Sequence, residues 1–289
     1  MTDQFVDDPR GNALKAIALV DTHCERCNDF HLASLVRRAA LSPKLRVGDQ
    51  AVFIDALKAQ LVEHARGTKR PLRVTIAGST DTWLYTAVLN AALEAGGKKL
   101  AQEIVVDLVD QCATPLVLCS AFAEEADLYI RTHQGDIKNY VPPKPVDLIV
   151  MHGVLPFFPE HEQIDYLNHM RSWLSARGKI ICSNQHGNAR GAEELESRID
   201  FTIDSLNRLL DEAGNISTKR RTILEGRVRT ALQRRHRFKT VFSDEAEARE
   251  RLRTADLRLD SFQVHANKAG SGPASRYAAR VIFTCSRLA

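Results

Sequence analysis

Residues 72–85, with the sequence LRVTIAGSTDTWLY, constrain the fold more than any other part of the chain. The apolar residues that open this segment predict a buried strand, and Gly78 after them allows backbone to approach a ligand closely. Residues 79–81 are Ser, Thr and Asp, which all cap helix N-termini, so a helix is predicted from about residue 82 to residue 95. A strand, a glycine turn and a helix N-terminus in this order predict a site for a nucleotide-like cofactor.

The alternation of strand and helix patterns continues to residue 183 and predicts a parallel sheet covered by helices on both faces. Two strand patterns near the C-terminus flank a linker rich in Gly, Ser and Pro, and they predict an antiparallel terminal hairpin. The predicted fold is therefore α/β, with a mostly parallel seven-stranded sheet. Its strands are expected at residues 72–76, 103–109, 127–132, 146–151, 179–183, 257–265 and 276–286.

Helical patterns before and between the strands predict two additions to the sheet. Residues 1–71 are expected to form an N-terminal helical cap, and residues 72–289 a cofactor-binding domain with a helical insertion at about 190–240. Residues 218–239 of the insertion carry nine Lys or Arg against one acid. A solvated helix face is the preferred interpretation of this excess, and a surface for an acidic substrate or a phosphate is the alternative.

Composition indicates a globular protein without membrane segments. The 289 residues are 44% hydrophobic with a net charge of +4, and no apolar run reaches membrane-spanning length. The N-terminus is polar and acidic, which argues against a secretory signal. Six scattered cysteines predict reduced thiols in a cytoplasmic enzyme rather than a disulfide framework.

One short segment of the predicted cap combines His23, Cys24, Cys27 and His31. Thiolates and imidazoles at such spacing can hold zinc. However, the CxxC has no second CxxC, and His31 follows at an atypical interval. We therefore predict small buried thiols beside a helix start and no metal.

Polar residues follow several of the predicted strands. Asp110 ends the second strand, where an acid in a dinucleotide-type fold accepts both hydroxyls of a ribose; the alternative is that it caps the next helix. Asp136 follows the third strand, and His152 follows the fourth. Because parallel strands end at one edge of a sheet, these residues are expected to converge where ligands of this architecture bind.

Four motifs sharpen this prediction. Residues 76–81 (IAGSTD) resemble a variant cofactor loop, I-A-G-S-A-D, and residues 110–116 (DQCATPL) resemble a D-x-C-x-T-P-L stretch. Residues 135–137 (GDI) and 147–153 (DLIVMHG) match the acidic third motif and the fourth motif of the same family. Over residues 72–186 the chain thus resembles class I S-adenosylmethionine (AdoMet)-dependent methyltransferases, which implies a Rossmann-like fold and AdoMet as cofactor.

The resemblance implies a role for each motif. The glycine loop would approach the methionine part of AdoMet, the acid after the second strand with its neighbour would hold the ribose, and the third motif would hold the adenine. The end of the fourth strand would line the methyl-transfer pocket, with His152 as candidate base. The implied cofactor residues are Ala77, Gly78, Ser79, Asp81, Asp110, Gln111, Asp136, Ile137 and Met151.

The loop departs from the usual family pattern, since Ile76 and Ala77 stand where an acid is expected and Thr80 and Thr82 replace later glycines.

The first hypothesis is methyl transfer to a small-molecule or peptide acceptor, with Phe157 at the pocket mouth or in the core. An NAD(P)-dependent oxidoreductase is weaker because no G-x-G-x-x-G is present. A catalytically inactive binding module that uses the basic helix is the third hypothesis. No Asn-Pro-Pro-Tyr-like motif follows the fourth strand, so nucleic acid is disfavoured, and a homodimer stays open.

Overall fold

The computed structural model describes residues 4–24, 26–41, 50–67, 70–186, 192–235, 241–265 and 279–288. Seven strands form one sheet: β1 Arg73–Ala77, β2 Val105–Asp110, β3 Ile130–Gln134, β4 Val146–His152, β5 Leu174–Gln185, β6 Leu257–His265 and β7 Arg280–Arg287. The described α-helices are α1 Pro9–His23, α2 Phe30–Ala40, α3 Gln50–Gly67, α4 Trp83–Glu103, α5 Ala113–Glu125, α6 Glu160–Trp173, α7 Ala192–Ala213, α8 Thr218–Arg235 and α9 Glu245–Thr254.

The strand order across the sheet is β3-β2-β1-β4-β5-β7-β6. The first five strands pair in parallel, while β7 pairs antiparallel with both β5 and β6. The predicted mostly parallel, seven-stranded sheet with an antiparallel terminal hairpin is therefore confirmed. Strand order reverses between β1 and β4, and the crevice at such a reversal is where open α/β sheets bind ligands.

Each face of the sheet buries its own apolar core. On one face, α3 and α4 pack on β1 and β2 through residues that include Phe53, Ile76 and Val88. On the other face, α6 and α9 cover β4 and β5 through residues that include Trp173 and Phe242. Because both faces of the central strands are covered, these strands read as continuous apolar runs in the sequence.

A third core lies outside the sheet and consists of helices from two distant parts of the chain. The first two helices pack with α7 and α8, through residues such as Leu35, Leu206 and Leu232. The expected N-terminal cap is thus divided in space, since α1 and α2 join this helical layer whereas α3 belongs to the sheet core. We call the assembly of α1, α2, α7 and α8 the helical layer.

The basic residues of α8 hold this layer together. Arg220 and Arg227 both bind Asp21 of α1, at 2.6 and 2.7 Å, and Arg227 also reaches Asp29 at 2.5 Å. Arg221 binds Asp211 of α7 at 2.6 Å. The preferred interpretation as a solvated face is wrong for Arg220 and Arg227, because Asp21, about 200 positions away in the sequence, neutralises them.

Helix ends differ from the predictions where polar residues obscure the pattern. The fourth helix continues past the predicted end at residue 95, but Gly97 interrupts it with φ of 72° and ψ of −172°. The sixth helix begins at Glu160, directly after Pro159, with a polar first turn that carries Glu160 and Glu162. Among the described residues, no helix is long and apolar enough to cross a membrane.

Candidate active site

A cavity of about 670 Å³ opens at the carboxyl ends of β1, β2 and β4, beneath the helical layer. Its floor is the edge of the sheet, and its roof comes from α2 and the end of α8. Predicted site residues that line it are Gly78, Ser79, Asp81, Asp110, Gln111, Asp136, Ile137 and His152. Residues contributed by the roof and mouth include Arg26, Cys27, His31, Arg38, Phe157 and Arg234.

The turn after β1 requires glycine. Gly78 has φ of +76°, and its N–H donates to the carbonyl of Val109 at 2.8 Å. A Cβ at this position would lie 2.9 Å from the Val154 side chain and 3.9 Å from an Asp110 carboxylate oxygen. The turn is therefore both left-handed and crowded, and the missing side chain leaves room for backbone to approach a ligand.

Asp110 is held in one orientation at the end of β2. One carboxylate oxygen accepts from the backbone N–H of Ser79 at 3.1 Å, and the other accepts from the N–H of Cys112 at 2.8 Å. Its side chain is 10% exposed, on the cavity wall. Asp110 therefore ties down the turn after β2 and faces the cavity.

Asp136 and Ile137 form the far wall of the cavity. Asp136 accepts from the backbone N–H of Lys138 at 2.9 Å and caps the short 3₁₀ helix Ile137–Asn139. The side chain of Ile137 is buried against the sheet, so it offers a firm apolar surface at the cavity. A carboxylate beside an apolar side chain suits a flat heteroaromatic ring with an exocyclic amino group.

Asp81 faces the roof rather than the floor. Its carboxylate accepts from Arg38 at 2.5 Å and from the N–H of Trp83 at 3.0 Å, and Arg38 also binds Asp7 at 2.7 Å. Burial raises the pKa of Asp81 to about 6, although the charge of Arg38 opposes the shift. Asp81 therefore fastens α2 over the cavity, which is a role that the loop motif did not reveal.

His31 is a site residue that sequence reasoning considered only as a metal ligand. It is 5% exposed, and its Nε2 lies 2.9 Å from the carbonyl oxygen of Ser79 and 3.7 Å from Asp110. Burial lowers the pKa of this imidazole, but the charge of Asp110, together with Cys112, outweighs burial and raises the pKa to about 10. His31 thus supplies a positive charge beside Asp110 and links α2 to the glycine turn.

His152 lies at the cavity with aromatic neighbours. Its ring packs edge-on against Trp83, with centroids 4.9 Å apart, and against Phe53 at 5.7 Å. At the mouth, Phe157 is 46% exposed and packs edge-on against Phe30 at 4.9 Å. The two aromatic groups give the cavity wall and its mouth apolar, flat surfaces.

The expectation that Met151 lines the cavity is wrong. Its side chain is fully buried in the core beneath β4, and within the described part of the chain it is not on the cavity wall. Neighbouring side chains of a strand point to opposite faces, so His152 reaches the cavity and Met151 does not. Ala77 is buried in the same core, and only the turn that follows it lines the cavity.

The cysteines of the CxxC segment meet a third cysteine in space. The sulfurs of Cys24, Cys27 and Cys112 all lie within 4.8 Å of one another. His23 is not part of this group, since its ring contacts the Thr22 hydroxyl at 2.5 Å. The sequence spacing gave no signal for Cys112, because it comes from the turn after β2.

The chain matches no protein-family model and no curated protein, whereas solved structures resemble it in fold. Magnesium protoporphyrin IX methyltransferase (ChlM) from Synechocystis PCC 6803 with bound SAM superposes with a TM-score of 0.52, at 14% identity over 98% of each chain. The same enzyme with bound SAH gives 0.50 at 16% identity, over 84% of this chain and 85% of that one. The mitomycin 7-O-methyltransferase MmcR gives 0.50 at 14% identity, over 98% of this chain and 74% of that one. The fold is therefore the Rossmann-like class I methyltransferase fold.

Proposed function

We propose that this protein is an AdoMet-dependent methyltransferase that acts on a small-molecule acceptor. The observation that carries the proposal is the spatial order of three cofactor-type groups along one wall of the cavity. A glycine turn, the ribose-type acid Asp110 and the Asp136–Ile137 pair follow one another at the ends of β1, β2 and β3. Structural neighbours with the same fold were crystallised with SAM or SAH.

The residues present fit this cofactor. Gly78, where a Cβ would clash with the Val154 side chain, lies in the turn that would approach the methionine part of AdoMet. Asp110 is already oriented by two backbone N–H groups and keeps lone pairs for ribose hydroxyls. Asp136 would accept from the adenine amino group, with Ile137 against the ring. When bound, AdoMet supplies an electrophilic methyl group on a sulfonium.

The chain's own contribution is to align the acceptor and exclude water. Such a displacement needs the nucleophile in line with the methyl carbon, which is an effect of positioning. The roof that Arg38 and Asp81 hold over the cavity would exclude water. Where the acceptor must lose a proton, the His152 imidazole on the cavity wall is the group to receive it.

The cavity favours a small acceptor with an acidic group. Its volume is within the usual range for small-molecule sites, roughly 300–1,000 Å³. Its lining includes the arginines Arg26, Arg37, Arg234 and Arg280. The arginines suit a carboxylate or a phosphate on the acceptor.

Calorimetry with AdoMet, S-adenosylhomocysteine and NAD(H) tests the cofactor. We expect micromolar binding of the first two, weakened at least about tenfold in Asp110→Asn, because a hydrogen bond to a charged group is lost. Glu103→Gln, a surface change at the end of α4, is the matched control and should bind as the wild type does. Binding of NAD(H) alone would support the oxidoreductase, and binding of none would support a binding module.

A further inference from the structure

Three sulfurs converge at the seam between the helical layer and the sheet. Cys24 and Cys27 come from the turn after α1, and Cys112 comes from the turn between β2 and α5. The sulfurs of Cys24 and Cys112 are 4.0 Å apart, and all three sulfurs lie within 4.8 Å of one another. The group lies between two openings, since Cys27 lines the main cavity and Cys24 lines a second cavity of about 390 Å³.

This spacing is close to that of a tetrahedral thiolate site. With zinc–sulfur bonds of about 2.3 Å, tetrahedral geometry places the sulfurs about 3.8 Å apart. The pair Cys24–Cys112 already has this separation within a few tenths of an ångström. The sulfur of Cys27 lies within 4.8 Å of both.

The turn that carries Cys27 is firmly held. Asn28 and Asp29 both adopt left-handed backbone, with φ of 47° and 62°, which folds the chain back toward Cys24. The side chain of Asp29 accepts from Arg227 of α8 at 2.5 Å. The two sulfurs are thus positioned by the fold rather than by chance exposure of thiols.

The group in the described part of the chain consists of the three sulfurs, and His31 of α2 lies near it without being one of its members. The Nε2 of His31 contacts the Ser79 carbonyl oxygen at 2.9 Å and lies 3.7 Å from Asp110. Three protein ligands leave the fourth position of a tetrahedral cation open to a water molecule.

We propose that Cys24, Cys27 and Cys112 bind zinc or another thiophilic divalent cation. Binding would replace the thiol protons and join the turn between α1 and α2 to the β2–α5 turn. The cation would also lie next to Asp110, whose carboxylate already accepts from the N–H of Cys112. The metal would therefore hold the ribose-type acid and the roof in one arrangement.

Cobalt(II) titration of reduced, chelator-treated protein tests the site directly. We expect one equivalent to bind with a thiolate-to-cobalt charge-transfer band and intense tetrahedral visible bands, and zinc to displace it. Cys112→Ser keeps a hydroxyl that can donate to the His23 carbonyl, as the thiol does at 2.7 Å, but it removes a soft ligand. It should weaken cobalt binding at least about a hundredfold.

A matched control comes from another buried cysteine. Cys119 donates to the Asp81 carbonyl at 3.5 Å and lies in the core on the sheet, so Cys119→Ser should leave the cobalt spectrum unchanged. Absence of saturable cobalt binding in the wild type, or equal loss in Cys112→Ser and Cys119→Ser, would overturn the proposal.

A second measurement does not depend on variants that fold poorly. Zinc should raise the melting temperature of chelator-treated wild type by several degrees, since it binds the folded state selectively. No rise at saturating zinc, or a Cys24–Cys112 disulfide that persists with reductant present, would contradict the site. These experiments contain no AdoMet, so their outcome is separate from that of the proposed methyltransferase activity.

Discussion

The floor and the roof of the cavity are stabilised in different ways. The floor consists of strand ends whose side chains below are apolar and fully buried, such as Ile76 in β1 and Met151 in β4. The roof depends on charged groups, above all Arg38 between Asp7 and Asp81 and Arg227 between Asp21 and Asp29. Apolar packing is indifferent to pH and salt, whereas ion pairs are not, so the two halves should respond differently to the same perturbation.

A large effect on stability is expected at the floor. Ile76→Ala removes buried methyl groups from the centre of the sheet core and should lower the free energy of unfolding by about 2–5 kcal/mol. Urea denaturation followed by circular dichroism measures it, with Ile76→Val, expected at about 0.5–1.5 kcal/mol, as the graded control. Equal costs for the two variants would show that β1 does not carry the core.

The next effect concerns the roof. Arg38→Met leaves Asp81 and Asp7 without their shared cation, and breaking a buried pair of this kind costs about 3–5 kcal/mol. We expect the loss to appear as faster hydrogen exchange in α2, while β1 stays protected. Arg38→Met combined with Asp81→Asn should regain part of the loss, because the buried carboxylate is then neutral. Uniform loss of protection across β1 and α2 would contradict an independent roof.

The sequence predicted the floor better than the roof for a physical reason. Buried parallel strands read as apolar runs, so β1, β2 and β4 were found near their observed bounds, and Asp110 was placed at the cavity. The roof depends on pairs between residues about 200 positions apart, such as Arg227 and Asp21, which no local pattern records. The error at Met151 arose because successive side chains of a strand point to opposite faces of the sheet, so that a shift of one residue changes which face a side chain occupies.

The cysteine group shows the same limit at smaller scale. Local spacing offered two cysteines and argued against a metal, whereas the third sulfur comes from a turn 88 residues away from Cys24. Fold topology, rather than motif spacing, brings these groups together. The same topology joins His31 of α2 to Asp110 of β2, with 3.7 Å between the charged atoms.

A pH titration sharpens the comparison further. Because burial raises the pKa of Asp81 from 3.8 to about 6, the folded protein binds a proton there more tightly than the unfolded chain does. The contribution of this group to stability is therefore fully present below about pH 4 and is lost as pH rises through about 6. The free energy of unfolding of Asp81→Asn, measured by chemical denaturation between pH 4 and 7, should not show this decrease. If the free energies of wild type and variant changed in parallel with pH, the assignment would be contradicted.

The smallest effect is expected at the exposed edge of the roof. Arg229 is 44% exposed and binds Glu196 at 3.4 Å and Asp200 at 3.6 Å on α7. Solvent and side-chain entropy offset most of such an interaction, so Arg229→Gln should change the free energy of unfolding by less than about 1 kcal/mol. Chemical denaturation at low and high salt measures this change, which should shrink further as salt rises. A cost as large as that of Arg38→Met would mean that the whole ion-pair network, rather than its buried members, holds the roof in place.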